Sequence, residues 1–201
     1  MLTNLDRMEV AASVATLNVV MSAYAERGAA DTVLQMLDDF SKVGLDPDAN
    51  SFSFAIEALG KDLHRRNKGY ETGLVAKNLD AADSILSKME AENVEPTSDI
   101  IRNYVELLCL AGEVETATGV VEDILQREQS GLLNDKILYR VAMANIEISN
   151  LDAARKLASA TGEHVTKLHR VIKSQEQRLQ NLQLVQKKQE TQEEDTENGK
   201  T

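Results

Sequence analysis

Apolar residues recur along the chain at intervals of three and four. Leu17, Val20, Met21 and Tyr24 form one such stripe, Phe52, Ala55, Ile56 and Leu59 a second, Ile101, Tyr104, Val105 and Leu108 a third, and Leu138, Val141, Ala142 and Ile146 a fourth. That spacing lines one face of an α-helix. Each stripe has a downstream companion: Leu34, Leu37 and Phe40; Ile85, Leu86 and Met89; Val120, Val121, Ile124 and Leu125; Leu157 and Ala158. Between the members of each pair lies a related segment, namely Gly28-Ala-Ala-Asp-Thr-Val33, Lys77-Asn-Leu-Asp-Ala-Ala82, Gly112-Glu-Val-Glu-Thr-Ala117 and Ser149-Asn-Leu-Asp-Ala-Ala154. The pattern predicts a tight turn, then an acid facing the positive end of a helix dipole, then a small residue where two helices approach closely. Asn78 and Asn150 read as N-caps. The chain is therefore expected to be all-α, built from about four helical hairpins.

The small positions Val33, Ala82, Ala117 and Ala154 are 49, 35 and 37 residues apart, so the second unit carries about 14 extra residues. These fall at Lys61–Lys77, where a loop is expected because solenoids carry insertions as loops. With Lys61, His64, Arg65, Arg66 and Lys68, this is the most basic short stretch of the array. Only 10 glycines and 2 prolines interrupt the 201 residues, as long helices with short turns require.

Residues 14–48, VATLNVVMSAYAERGAADTVLQMLDDFSKVGLDPD, resemble one pentatricopeptide repeat over its full length, including Asn18, Gly28 and the closing Gly44-Leu-Asp-Pro47-Asp48. The next unit closes similarly on Asn93-Val-Glu-Pro96-Thr97, whereas the tetratricopeptide repeat's early Trp and Leu-Gly-Tyr pattern is absent. The resemblance runs from about residue 14 to 158 and fades along the way. It implies a right-handed superhelical solenoid. Repeats are expected at 14–48, at 49–97 with the inserted loop about 61–77, and in degenerate form at 98–134 and 135–162. A capping or truncated helix at 1–13 would precede them, and a long helix at 163–188 and a disordered acidic tail at 189–201 would follow.

Members of that family read single-stranded RNA one base per repeat, through the side chains at the fifth and last positions, while the second position packs on the base. Carried over, the first unit offers Asn18 and Asp48 with Ala15, a pairing associated with pyrimidines and uracil above all. Ser53 with Thr97, Arg102 with about Asn134, and Tyr139 match no such pairing. Read without the family, Asn18 is a polar residue on an exposed helix face and Asp48 a turn or cap residue after Pro47. The resemblance also implies action in mitochondria or chloroplasts, on RNA processing, stability or translation. The competing reading is a protein-protein scaffold, such as a peripheral ribonucleoprotein subunit.

Charge changes this picture. A net charge of -11 leaves no uniformly basic nucleic-acid footprint, so any RNA contact has to be local. Lys61, Arg65, Arg66 and Lys68 are candidate contacts to phosphate or to an acidic partner, as are Lys167, Arg170 and Lys173 on the carboxyl-terminal helix. A solvated basic loop is the alternative for the first group. On that helix Val165, Leu168, Ile172, Leu179 and Leu182 follow heptad spacing with Gln175 interrupting, which suits a cap on the open end of the array, a partner helix or a path along RNA. The single cysteine, Cys109, reads as a core residue in a reducing compartment. His164 and His169 lie five apart and do not share a helix face, so no metal site is expected, nor any cofactor. No phosphate loop or nucleophile motif is found, so the chain is not expected to be an enzyme. No run is apolar enough to span a bilayer, and the acidic start does not read as a transit peptide. The chain is therefore expected to be cytosolic, mature or truncated.

Overall fold

The computed structural model describes residues 13–66, 72–127, 129–162 and 164–198. Among these there is no strand, and nine α-helices follow one another: α1 Val14–Ala25, α2 Ala30–Asp39, α3 Ala49–Arg66, α4 Thr72–Ala91, α5 Ser98–Ala111, α6 Val114–Gln126, α7 Asp135–Glu147, α8 Leu151–Ala160 and α9 Val165–Asn198. Two compact units divide at Ile137 and Leu138, within the first turn of α7.

In the amino-terminal unit, α1 with α2, α3 with α4 and α5 with α6 form antiparallel hairpins, and α3 packs on both α1 and α5. The apolar stripes make the core, with Met21, Phe40, Phe52 and Ile56 fully buried. Val33, Ala82 and Ala117 are also fully buried, as positions of close helix approach should be. Gly28 shows how close that approach is. It turns the chain at φ +62°, and a Cβ there would lie 2.9 Å from the Asp62 nitrogen and the Lys61 carbonyl carbon of α3. Arg65 fastens the same corner by donating from a guanidinium nitrogen to the Arg27 carbonyl at 2.7 Å.

Each first helix of a hairpin begins on a capping side chain, because the leading N–H groups of a helix have no partner within it. Ser13 Oγ accepts from Thr16 N at 3.1 Å, Asp48 Oδ1 from Ser51 N at 2.9 Å, Thr97 Oγ1 from Ile100 N at 3.4 Å and Asn134 Oδ1 from Ile137 N at 3.0 Å. The caps lie 35, 49 and 37 residues apart, and the 49-residue interval spans the second hairpin, as it does between the small positions Val33 and Ala82. The two closing motifs also share a shape, since Gly44 and Asn93 both adopt left-handed backbone.

Of the loop expected at 61–77, residues 67–71 lie outside the described residues, and the described part of the insertion is helix: α3 has 18 residues and α4 has 20, against 12 and 10 in α1 and α2. Helix continues because there is still apolar surface to bury, as Leu63 and Leu74 show. The expected turn at Lys77–Ala82 consequently lies inside α4. Asn78 is no N-cap: its buried amide donates to the Leu59 carbonyl of α3 at 3.1 Å and ties the hairpin together. Lys77, also thought to lie in the loop, pairs with Asp31 of α2 at 2.8 Å.

In the carboxyl-terminal unit, Asn150 does cap α8, accepting from Ala153 N at 3.4 Å. Leu157 and Ala158 of α8 and Leu168 and Ile172 of α9 are buried, and α8 packs along α9. Arg155 pairs with both Asp152 and Glu176. Helix α9 runs to Asn198, so most of the tail expected to be disordered at 189–201 is helical, consistent with its Gln, Glu and Lys content and with a first glycine only at 199. The heptad seam is buried at Leu168 and Ile172, but Leu182, Leu184 and Val185 are exposed.

Candidate functional site

Helix α1 turns Leu17, Met21 and Ala25 into the core, which leaves Ala15, Asn18, Val19 and Ser22 together on another face. That face borders an open depression of about 680 Å³, whose far side is formed by Asp48 and by Asn50 and Phe54 of α3. The two residues expected to act together, 30 positions apart in sequence, meet here: Asn18 donates from Nδ2 to Asp48 Oδ1 at 2.9 Å. Ala15 lies on the same wall, exposed.

Asp48 reaches this place because it caps α3. The cap is reciprocal. Asp48 accepts from Ser51 N, and Ser51 Oγ accepts from Asp48 N at 3.2 Å, as in a capping box with serine in the place of the usual glutamate or glutamine. The Ser51 hydroxyl then donates to Asn18 Oδ1 at 2.7 Å, with Asp48 Oδ1 at 3.1 Å. Burial opposes ionisation of Asp48, but hydrogen bonds from the Ser51 amide, the Asn18 side chain, the Ser51 hydroxyl and the Asn50 amide outweigh it and hold the carboxyl below its ordinary value. Asp48 is therefore an anion that only accepts, which obliges Asn18 to face it with its nitrogen.

The corresponding positions further along are occupied differently. Ser53 is buried under Asn103, whose Nδ2 donates to the Ser53 hydroxyl at 3.1 Å and to its carbonyl at 3.2 Å. Arg102 is paired with Asp99 at 2.7 Å. In the carboxyl-terminal unit the Tyr139 ring meets His164 with centroids 5.0 Å apart and carries the Lys167 ammonium 4.9 Å from its centroid.

The pentatricopeptide repeat domain family matches residues 1–62, the stretch that holds α1, α2, the Asn18–Asp48 pair and most of α3. This match takes in the first 62 of the 201 residues, and over that stretch the chain is similar to the pentatricopeptide repeat. No curated protein matches it. Among solved structures, the crystal structure of the pentatricopeptide repeat protein PPR10 from maize is similar at 20% sequence identity and a TM-score of 0.55, over 86% of this chain and 22% of that one. The chain thus spans about a fifth of that protein, and the likeness is one of helical solenoid fold.

Around the first repeat, the expected basic contacts separate into several environments. Arg65 is engaged by the Arg27 carbonyl, and Arg66 Nε lies 2.7 Å from the buried Asp62 carboxylate, so both serve the corner where α3 meets the first hairpin. Lys61 instead lines a depression of about 460 Å³ between α3 and α5, beside His64, Arg102 and Asn103. Lys68 lies outside the described residues. On α9, Lys167 is held over Tyr139, while Arg170 and Lys173 are exposed. Among the described residues no group of three or more His, Cys, Asp or Glu is placed to hold a metal ion, and no helix is long and apolar enough to cross a membrane. Cys109 is half-buried on α5.

The sequence reading missed three residues of the first site. Val19 is 72% exposed beside Asn18, and its signal was an apolar residue off the core stripe. Phe54 lies four positions after Asn50, on the same side of α3. For Ser51 the Asp-x-x-Ser spacing signals a cap partner, though neither its burial nor its bond to Asn18.

Proposed function

We propose that the chain is an RNA-associated adaptor of the pentatricopeptide-repeat type, whose first repeat contacts one base of single-stranded RNA through Asn18 and Asp48. The observation that carries this reading is the meeting of Asn18 Nδ2 and Asp48 Oδ1 at 2.9 Å on the edge of an open depression that Ala15, Val19 and Phe54 also line. Asn18 has a second N–H to offer after serving Asp48, and a carboxylate has about four acceptor sites. The bonds from Asn18 and Ser51 all end on Asp48 Oδ1, so the carboxylate keeps acceptor capacity for a ligand. A donor beside an acceptor complements a base that presents a keto oxygen beside a ring N–H. Uracil does this, and its single ring suits packing between Val19, Ala15 and Phe54 better than a purine. Lys61 would neutralise a neighbouring phosphate.

One reader is a small part of a recognition site, because specific recognition draws on about 1–3 kcal/mol at each of several positions. Tight binding therefore needs further repeats, in a longer chain or in a partner, and by family resemblance the setting would be organellar RNA processing, stability or translation. The reading includes no catalytic step. A scaffold without base recognition is the second reading, favoured by the net charge of -11 and by the covered Ser53.

Titration of the chain with labelled single-stranded oligonucleotides at two salt concentrations separates the two. Binding that prefers uracil, weakens with salt and loses about tenfold of its preference in Asn18→Ala is expected. No binding at high micromolar concentration would leave the scaffold.

A further inference from the structure

We propose that Ser51, which belongs to the second repeat, decides how the first repeat reads its base, by fixing which end of the Asn18 amide faces the depression. The proposal rests on the base-reading role of Asn18 and Asp48.

Ser51 is fully buried in the first turn of α3, so its hydroxyl must find its partners within the protein. The Oγ accepts from the Asp48 backbone N–H at 3.2 Å, and its one proton is therefore free only to be donated. Two acceptors are in reach, Asn18 Oδ1 at 2.7 Å and Asp48 Oδ1 at 3.1 Å. The shorter bond goes to Asn18. That bond draws the amide oxygen toward Ser51, while the Asp48 anion draws the amide nitrogen toward itself at 2.9 Å. With both ends engaged, Asn18 has only its second N–H to present, and the site is a donor toward the base.

Without the Ser51 hydroxyl, Asn18 is only 8% exposed and its oxygen loses its donor. A buried acceptor without a partner is unfavourable, so the amide tilts to bring that oxygen to the depression while its nitrogen stays on the Asp48 anion. The site then offers an acceptor, the complement of the exocyclic amino group of cytosine. Ser51 touches no base in this scheme. It is a positioning residue, and what it controls is the choice between a keto and an amino pyrimidine.

The test uses the full chain and labelled oligouridylate and oligocytidylate, with thermal melts recorded for every variant. The unaltered chain is expected to prefer uridylate by about tenfold, the discrimination typical of one well-made polar contact. Ser51→Ala and Ser51→Cys, which remove the hydroxyl or replace it with a weak donor, are expected to bring the ratio to within about twofold. Ser51→Thr, which keeps the hydroxyl, is expected to retain it. If the cysteine or alanine variant binds both oligonucleotides more weakly but keeps the ratio, Ser51 is a helix cap alone and the proposal is overturned. Absence of any uridylate preference in the unaltered chain overturns the base-reading role and this proposal together, and that result is seen before any variant is made.

Discussion

Asp48 performs two tasks with one side chain. It ends the linker after Pro47 as the N-cap of α3, and the same oxygen accepts from Asn18. The cap reading and the pairing reading of the sequence therefore do not compete. Because hydrogen bonds hold the folded Asp48 carboxyl below its ordinary value, its network contributes stability that is present above the unfolded carboxylate value and lost as pH falls through the folded one. A carbon-13 titration of the Asp48 carboxyl should accordingly have its midpoint below that of the same residue in the unfolded chain, and one at or above it would contradict the hydrogen bonding described. Glycines test the packing at the same scale. Gly28 and Gly112 both have positive φ, but a Cβ at Gly28 meets the backbone of α3, whereas nothing lies within 4 Å of one at Gly112. Gly112→Ala should cost about 1 kcal/mol from the left-handed backbone alone, and Gly28→Ala at least about 2 kcal/mol more from the clash, measured by denaturant unfolding. Equal costs would mean that the first turn does not press on Lys61 and Asp62. Asn18, Asp48 and Ala15 were legible because a 35-residue register assigns each a place. Ser51 was not, since burial and a third partner cannot be read from spacing.

At the scale of elements, periodicity located the stripes and the buried small residues well, because both record which face of a helix meets another. It failed where length was ambiguous. Fourteen inserted residues can make a loop or lengthen two helices, and the choice depends on whether Leu63 and Leu74 find a neighbour to bury against, which they do. The misplaced turn and the misread Asn78 follow from that single uncertainty. The heptad on α9 was similarly half right. Leu168 is fully buried and Leu182 is 52% exposed, so the seam is a packing surface only in its first part. Leu168→Ala should destabilise the carboxyl-terminal unit by about 3 kcal/mol, while Leu182→Ala should stay within about 0.5 kcal/mol in the same thermal melts. A comparable loss at Leu182 would require a partner on that face.

For the whole molecule, charge and fold point in different directions. An acidic chain of helical hairpins is well suited to meeting proteins, yet its first repeat places a donor and an acceptor side by side where the pentatricopeptide pattern expects them. The later repeats keep the caps and the buried small residues but not that pair, since Asn103 covers Ser53 and Asp99 holds Arg102. The helical-hairpin architecture is thus retained over more of the chain than the paired donor and acceptor. This was partly visible in sequence as unmatched residues at the fifth and last positions, although the side chains that cover them were not. The central claim is that a base sits against Asn18, and the most direct measurement follows the Asn18 side-chain amide by proton–nitrogen NMR during addition of oligouridylate. Saturable shifts of both its protons, with weaker shifts on adding oligoadenylate, are predicted. An Asn18 amide unmoved while resonances elsewhere saturate would contradict the account and place the ligand, and with it the function, on another surface.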